Sequence, residues 1–220
     1  MNKILHSKIL GEGKPLIILH GLFGMLDNWQ ALAKEFACFF ETHILDLRNH
    51  GRSFHANQHN YELMTEDLLS YLNTYNLDEV SLIGHSMGGK AAMTFACMYP
   101  DRVEKLVVVD ISPKYYPPHH QEILSGLKAV DRSNLTSRKD ADQILSQYFS
   151  ESAMRQFLLK NLYWRSSTEL TFKFNLKVLS DQIENVGQAL HTDALFDRST
   201  LFIVGQLSNY IKETDVEHIE

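Results

Sequence analysis

A serine between two glycines, placed where a predicted strand meets a predicted helix, is the residue with the clearest chemistry in this sequence. The segment Gly84-His85-Ser86-Met87-Gly88 follows a short apolar run at 80–84 that predicts a buried strand. Residues 87–98 predict a helix that ends before Pro100. Glycines on both sides of Ser86 permit a sharp, closely packed turn that raises the serine hydroxyl above the sheet. The pattern therefore predicts a nucleophilic serine, and a surface serine in a glycine-rich turn is the alternative.

A nucleophilic serine also needs hydrogen-bond donors for the negative charge that develops on the attacked carbonyl oxygen. The turn at 20–24, His-Gly-Leu-Phe-Gly, follows the first predicted central strand, and its glycines let the main chain bend so that an amide points into the site. We expect the amides of Leu22 and Met87 to form this oxyanion hole. An ordinary turn at the end of a strand is the other interpretation of residues 20–24.

A carboxylate is expected to orient the base that activates the serine. Asp110 follows the apolar residues 106–109 of the strand predicted from Val103, and this places it at the carboxyl end of a strand, where open α/β sheets gather their functional groups. We therefore interpret Asp110 as the acid. The alternative is that its carboxylate only caps the next turn. The strand predicted at 201–204 leads into residues 205–209, which contain no carboxylate.

The order of predicted elements indicates how these residues are positioned. Apolar strand-like runs alternate with helix-like segments, which predicts an α/β protein with a mostly parallel sheet covered by helices on both faces. The predicted strands are 14–19, 42–46, 80–84, 103–110 and 201–204, and the predicted helices before residue 111 are 28–37, a helix capped by Asn60, and 87–98. Residues 112–198 show mainly helical spacings and predict an inserted helical cap, so the core comprises 1–111 and 199–220.

Three motifs in this order resemble the α/β-hydrolase family. They are His20-Gly21, the Gly84 to Gly88 turn, and the run Asp46-Leu47-Arg48-Asn49-His50-Gly51-Arg52-Ser53, which is similar to the D-x-R-x-x-G-x-S loop of that family. Residues 22–28 and 86–90 are most similar to those of the bacterial YbfF-type esterases. The resemblance implies a serine esterase or acyl-CoA thioesterase that acts through an acyl-enzyme, without a metal or organic cofactor. It supports Asp110 as the acid and implies that Ser208 is an accessory hydrogen-bonding member of the catalytic group. For Asp46, Arg48 and His50 we favour a structural role.

The resemblance also implies a catalytic histidine in a loop that follows one further strand. The sequence ends at Glu220 before such a strand begins, so we expect a C-terminally truncated hydrolase that lacks the last strand, the histidine loop and the final helix. We interpret the histidines that are present, among them His20, His85, His119, His120, His191 and His218, as structural or solvated. Little esterase activity is expected of residues 1–220, because loss of a triad member typically lowers turnover by about 10⁴ to 10⁶.

Composition limits the class of protein. The 220 residues are 44% hydrophobic and 22% charged, which is typical of one soluble domain, with or without an insertion. A net charge of −6 argues against general nucleic-acid binding. Cys38 and Cys97, both expected to be buried, are too few for a disulfide framework, and no apolar stretch reaches the ~18 residues needed to span a membrane. We therefore expect a cytoplasmic protein with a small-molecule acyl substrate.

Two other functions remain open at this stage. A menaquinone-pathway-type lyase has a similar fold and serine triad but abstracts a proton, and a hydrolase-like binding protein would have no base at all.

The cap also leaves two questions open. Tyr115, Tyr116, Phe172 and Phe174 either line a channel or form the cap core, and basic residues of the cap either bind CoA phosphates or only face solvent: Lys114, Arg132, Arg138, Lys139 and Arg155. The sequence predicts neither the acyl-chain length nor the oligomeric state.

Overall fold

The computed structural model describes residues 3–133, 135–167 and 169–219, with the backbone alone at 217 and 218. Within these ranges the strands are β1 Ser7–Leu10, β2 Lys14–Leu19, β3 Phe40–Leu45, β4 Val80–His85, β5 Val103–Val109, β6 Leu162–Trp164, β7 Leu170–Phe172 and β8 Thr200–Ile203. The α-helices are α1 Gln30–Phe36, α2 Tyr61–Thr74, α3 Met87–Met98, α4 Gln121–Asp131, α5 Arg138–Leu145, α6 Ser152–Leu159, α7 Leu176–Asp181 and α8 Ile183–Val186.

Six strands form one sheet in the order β1-β3-β2-β4-β5-β8. Strand β1 is antiparallel to β3, and the other neighbouring pairs are parallel. The register pairs Leu19 with Gly84 and His85 with Val109, so β2, β4 and β5 end at the same edge of the sheet. The turns that follow these three strands carry the residues around 22, 86 and 110, and the topology therefore brings them together.

The sheet is buried on both faces, which explains why its strands are continuous apolar runs. Along β2, Ile17 and Leu19 pack with the residues of α2 and α3, whereas Leu16 and Ile18 pack with Ala33 of α1 on the opposite face. The Asn60 side chain accepts a hydrogen bond from the Leu63 amide and caps α2, as its sequence position predicts. The predicted α/β architecture is confirmed.

Between β5 and β8 the chain forms α4 to α8 and an antiparallel hairpin of β6 and β7. These elements bury their own apolar cluster, which includes Leu127, Leu145 and Leu158. The hairpin was not predicted, because strands of three residues are too short to show a period of two. Where the chain leaves and re-enters the core, the Tyr116 amide donates to the Gly187 carbonyl at 2.8 Å. We keep the division into a core and a cap at residues 112 and 198 as a prediction.

Some local expectations were wrong. Cys38 is exposed and Cys97 is half-buried, because Cys38 lies in the turn that follows α1 and Cys97 lies near the end of α3. The polar sequence of residues 208–220 predicts a helix, but the described part of this segment forms only the 3₁₀-helix Glu213–His218. It offers few apolar side chains to bury, so little packing supports a longer helix. No helix in the described ranges is long and apolar enough to cross a membrane.

Candidate active site

Ser86 lies in a strained turn between β4 and α3. Its backbone has φ 51° and ψ −117°, a conformation that non-glycine residues rarely adopt. A Cβ at Gly84 would overlap the Gly88 carbonyl, and a Cβ at Gly88 would lie about 2.5 Å from the carbonyl oxygens of Leu19 and His20. The two glycines are therefore required by close packing, and the turn holds Ser86 at the edge of the sheet.

Two main-chain amides near Ser86 are available to a ligand. Met87 is the first residue of α3, where helical N–H groups have no partner within the helix. The Leu22 N–H donates to no acceptor among the residues that the structure describes. Leu22 and Met87 line the same narrow chamber beside Ser86. This placement agrees with the expected oxyanion donors.

Asp110 directly follows β5 and also has a positive φ, 56°. Its amide donates to the Ile203 carbonyl at 2.8 Å, and its Oδ1 accepts a hydrogen bond from the Gly205 amide at 3.3 Å. The carboxylate is thus attached to the loop that follows β8. It lines the same cleft as Ser86.

A cleft of about 510 Å³ joins the predicted residues, and Ser86, Asp110 and Leu22 all line it. Five non-glycine residues in the described ranges have a positive φ, and three of them, Phe23, Ser86 and Asp110, line this cleft. Strained backbone persists where the surrounding structure enforces it, most often at functional sites. The cleft is therefore the candidate active site.

Four histidines also line the cleft: His20, His85, His119 and His120. Among the histidine side chains that the structure describes, none is hydrogen-bonded to Ser86 or Asp110; the side chain of His218 lies outside that set. Burial lowers the pKa of His85, an effect that the nearby Asp110 opposes. Burial, with a smaller contribution from His119, lowers the pKa of His120 to about 4. The sequence predicts only structural or solvated roles for His85, His119 and His120, and it does not predict that they line the cleft.

Ser208 and Asp110 both lie beside Gly205. The Ser208 amide donates to the Gly205 carbonyl, and its hydroxyl accepts from the Tyr210 amide at 3.2 Å. Within the described ranges the Ser208 hydroxyl forms no hydrogen bond with Asp110 or Ser86. Ser208 therefore lies in the loop that holds Asp110, and Gly205 is hydrogen-bonded to both residues.

Tyr210 and Tyr116 close one side of the chamber beside Ser86. The Tyr116 hydroxyl donates to the Tyr210 carbonyl at 2.6 Å, and the Tyr210 hydroxyl is 2.7 Å from Nε2 of His119. Burial and the charge of Asp110 raise the pKa of Tyr210. These contacts join the cap segment after residue 112 to the loop after β8. Of the other aromatic candidates, Phe172 and Phe174 are buried in the cap cluster and Tyr115 is exposed.

Lys90, four residues after Ser86, is completely buried. Its Nζ donates to the carbonyl oxygens of Lys114 and Gln188, and it lies 5.0 Å from the centre of the Tyr116 ring. Burial and, to a smaller extent, the charge of Lys114 lower the pKa of Lys90 to about 8. The ammonium group therefore links α3 to both segments that connect the cap with the core.

The D-x-R loop supports the turn at 20–24. Asp46 accepts hydrogen bonds from the Leu26 amide at 2.7 Å and from the Arg52 amide at 2.8 Å. Arg48 forms a buried bidentate ion pair with Asp67, and Nε2 of His50 accepts from the Phe23 amide at 3.2 Å. These contacts agree with the structural role favoured for Asp46, Arg48 and His50.

The fold and the cleft define a hydrolase of the α/β class, and comparison with known proteins gives the same result. The family model described as alpha/beta hydrolase fold matches residues 14–134. Because that match covers more than half of the 220 residues, the chain belongs to the α/β-hydrolase family.

Relatives narrow the class to enzymes that act on esters. Esterase YbfF of Escherichia coli is 38% identical over 203 residues, which are 92% of this chain and 78% of the relative. The sn-1-specific diacylglycerol lipase ABHD11 of Danio rerio is 37% identical, over 96% of this chain and 68% of the relative. A solved marine microorganism esterase is 39% identical with a TM-score of 0.96, covering 99% of this chain and 87% of that one. These relatives support ester hydrolysis by this chain.

Proposed function

We propose that this protein is a serine esterase that cleaves carboxylic esters through an acyl-enzyme on Ser86. The observation that carries the proposal is the position of Ser86, held with φ 51° between β4 and α3 in one cleft with Asp110 and Leu22. A turn of this kind costs backbone energy, and a protein that only bound a ligand would have no use for it. The same arrangement is what an acyl-transfer site requires.

In this mechanism Ser86 Oγ attacks the carbonyl carbon of the ester while a histidine base accepts its proton. The amides of Leu22 and Met87 donate to the oxyanion, and the Asp110 carboxylate orients and stabilises the protonated base. The tetrahedral intermediate then collapses, and the alcohol leaves with the proton from the base. Water attacks the acylated Ser86 by the reverse sequence and releases the carboxylic acid. Ser208 is assigned an accessory role, as a hydroxyl that supports the loop holding Asp110.

The lining of the cleft favours an ester with an apolar group. Met154, Phe157 and Leu158 of α6 and Ile123 of α4 face the cleft, together with Trp29 from the core side. Apolar walls of this kind bind hydrocarbon chains by removing them from water. The relative named as a diacylglycerol lipase supports the same chemical class.

Thioesters, including acyl-CoA, belong to the proposal because the same acyl-enzyme forms from either donor. The cap offers less support for CoA phosphates. Lys114 pairs with Asp215, Arg155 pairs with Asp142, and Arg138 donates to the carbonyls of Leu159 and Leu162. These three cations already have protein partners, so we rank simple carboxylic esters first.

The group that accepts the proton of Ser86 determines how fast residues 1–220 hydrolyse an ester. No described histidine is hydrogen-bonded to Ser86, so the proposal expects slow hydrolysis that depends on the oxyanion donors and binding. Free imidazole can accept the proton of Ser86 and is expected to increase the rate by about 10-fold or more, provided that it reaches Ser86 through the open cleft.

The test is hydrolysis of p-nitrophenyl butyrate by purified residues 1–220, with and without imidazole. Because imidazole itself hydrolyses such esters, the matched control is Ser86→Ala under the same conditions. The proposal expects a slow rate for the wild type, an increase with imidazole above the Ser86→Ala background, and no increase for the variant. Equal rates for the two proteins at every imidazole concentration would contradict it.

A further inference from the structure

The turn that carries Leu22 is held by a side chain of the cap. Phe23, the next residue, is buried and has φ 58°. Its amide donates to Nε2 of His50 at 3.2 Å, and its carbonyl oxygen accepts a hydrogen bond from Nδ2 of Asn161 at 2.8 Å. Both peptide groups that flank the strained Phe23 Cα are therefore fixed, one from the D-x-R loop and one from the cap.

Asn161 is itself immobilised. It follows the end of α6 and is 1% exposed. Its main-chain N–H donates to the Leu158 carbonyl at 3.1 Å, and its main-chain carbonyl accepts from the Lys173 N–H at 2.8 Å. The backbone of Asn161 is thus attached both to α6 and to the segment after β7, so its side chain presents Nδ2 to Phe23 from a rigid support.

The other half of the Asn161 side chain indicates why an amide is present at this position. Its Oδ1 is buried and has no hydrogen-bond partner in the described part of the chain. A buried acceptor without a partner destabilises a protein, and a leucine of similar size would avoid that penalty. Of the hydrogen bonds that Asn161 Nδ2 donates, the one to the Phe23 carbonyl is the shortest. The bonds from Nδ2 to the carbonyls of Phe157 and Leu158 are 3.5 and 3.4 Å long. The structure thus tolerates an unpaired oxygen in order to hold the Phe23 peptide.

Relaxation of Phe23 would redirect its neighbour. The turn is closed by a hydrogen bond of 2.9 Å from the Gly24 amide to the Gly21 carbonyl, so Leu22 and Phe23 are its two central residues. The Phe23 carbonyl and the Gly24 N–H belong to one peptide group, and the Gly21 carbonyl and the Leu22 N–H belong to another. A rotation of the Phe23 carbonyl therefore breaks the closing hydrogen bond, which fixes the direction of the Leu22 N–H. The Phe23 ring is also anchored in the cap, 5.2 Å from the ring of Phe174.

We propose that Asn161 is a positioning residue for the oxyanion hole, holding the Phe23 carbonyl so that the Leu22 N–H stays directed at the cleft. This inference rests on the proposed function of Leu22. It also couples the cap to catalysis, because α6, which ends just before Asn161, supplies the side chains of Met154, Phe157 and Leu158 that line the cleft.

The test compares Asn161→Leu and Asn161→Asp with the wild type. Leucine keeps the volume and removes the donor, and aspartate keeps the shape but places an acceptor against the Phe23 carbonyl. With p-nitrophenyl butyrate and imidazole, we expect kcat to fall by about 10-fold for the leucine variant and further for aspartate, with KM within 2-fold. Removal of one oxyanion donor typically lowers kcat by about 10²–10³-fold, so a misdirected donor should cause part of that decrease.

A second measurement separates positioning from stability and does not depend on turnover. Hydrogen exchange of the segment 20–26 should accelerate at least 5-fold in Asn161→Leu, while exchange in β4 and β5 stays unchanged. Ser137→Ala, which removes a side-chain cap at the start of α5, is the control for general loosening of the cap. It should leave both kcat and the exchange of 20–26 as in the wild type.

The outcomes are distinguishable from failure of the esterase proposal. If Ser86→Ala and the wild type hydrolyse the ester equally, the proposed function is wrong, and the exchange data alone decide the role of Asn161. If Ser86 is required but Asn161→Leu retains full kcat, the inference is overturned. Unchanged exchange at 20–26 in Asn161→Leu overturns it as well, as does a loss of kcat that Ser137→Ala reproduces.

Discussion

Single residues around the cleft carry backbone strain that can be measured. Ser86, Phe23 and Asp110 all have positive φ. Close packing of the flanking glycines holds Ser86, and hydrogen bonds hold Phe23 and Asp110. Strain of this kind costs about 1–3 kcal/mol at a non-glycine residue. If the strained turn exists to present the Ser86 hydroxyl, removing the side chain should stabilise the fold.

Ser86→Gly is expected to raise the free energy of unfolding by about 1 kcal/mol, because strain relief exceeds the ~0.5–1 kcal/mol entropic cost of glycine. Urea denaturation monitored by circular dichroism measures the change. The control is Ser125→Gly, an exposed position inside α4, which should lower the free energy by about 0.5 kcal/mol. Equal destabilisation by both substitutions would show that Ser86 is not strained.

The sequence predicted those site residues whose position follows from the order of strands and helices along the chain. Ser86 and Asp110 follow strands, so the topology of a parallel sheet was enough to place them at one edge. Lys90 and Asn161 were missed, because their roles depend on main-chain carbonyls from distant segments. A lysine near a helix start and an asparagine after a helix have no sequence pattern that indicates such contacts.

Among the elements, α3 and the two cap connections form one unit through Lys90. The carbonyls of Lys114 and Gln188 receive no hydrogen bond from another donor among the described residues. Removing the ammonium group takes away the hydrogen bonds to these two carbonyls, and hydrogen bonds from charged donors are typically worth about 1.5–3 kcal/mol. The connection between core and cap therefore depends on this side chain.

Lys90→Met is expected to lower the free energy of unfolding by about 2–3 kcal/mol and to accelerate proteolytic cleavage in the cap connections at 112–119 and 186–191. Methionine keeps most of the apolar stem, so the loss reports the missing hydrogen bonds rather than a cavity. Lys128→Met, on the exposed side of α4, should change the free energy by less than about 0.5 kcal/mol. Stability of Lys90→Met equal to that of the wild type would contradict the linking role.

The elements of the core were better predicted than those of the cap. The bounds of α3 were predicted correctly, because the glycine turn and Pro100 mark both of its ends. Strand β1 was missed since Ser7–Leu10 mixes polar and apolar residues at the edge of the sheet. The hairpin of β6 and β7 was missed because each of its strands has only three residues. Short elements of a cap are determined by packing rather than by periodicity.

For the molecule as a whole, a group of buried histidines predicts sensitivity to acid. His20, His50 and His59 are each at most 1% exposed, and their neighbouring ring centroids are 5.0 and 5.6 Å apart. Burial, followed by the charge of Arg48, lowers the pKa of His59 to about 3. Burial also lowers the pKa values of His20 and His50. The folded protein therefore keeps these rings neutral below pH 6.5, whereas the unfolded chain protonates them.

Stability should consequently be retained above pH 6.5 and lost as the pH falls from 6.5 toward 3, by up to about 1.4 kcal/mol per pH unit for each ring. His59 has no hydrogen-bond partner at either nitrogen in the described part of the chain, so His59→Leu should be at least as stable at pH 7 and less sensitive to acid. Urea titrations between pH 4 and 7 measure this. The exposed His191→Leu should follow the wild type, and an unchanged acid dependence in His59→Leu would contradict the account.

The central claim, that Ser86 is the nucleophile of this cleft, is tested most directly by covalent labelling. Purified residues 1–220 are incubated with a fluorophosphonate, with and without imidazole, and the modified residue is located by peptide mass spectrometry. The account predicts slow modification of Ser86 alone, faster with imidazole and absent in Ser86→Ala. Modification at other residues, or no modification of Ser86 at saturating imidazole in a folded sample, would contradict it.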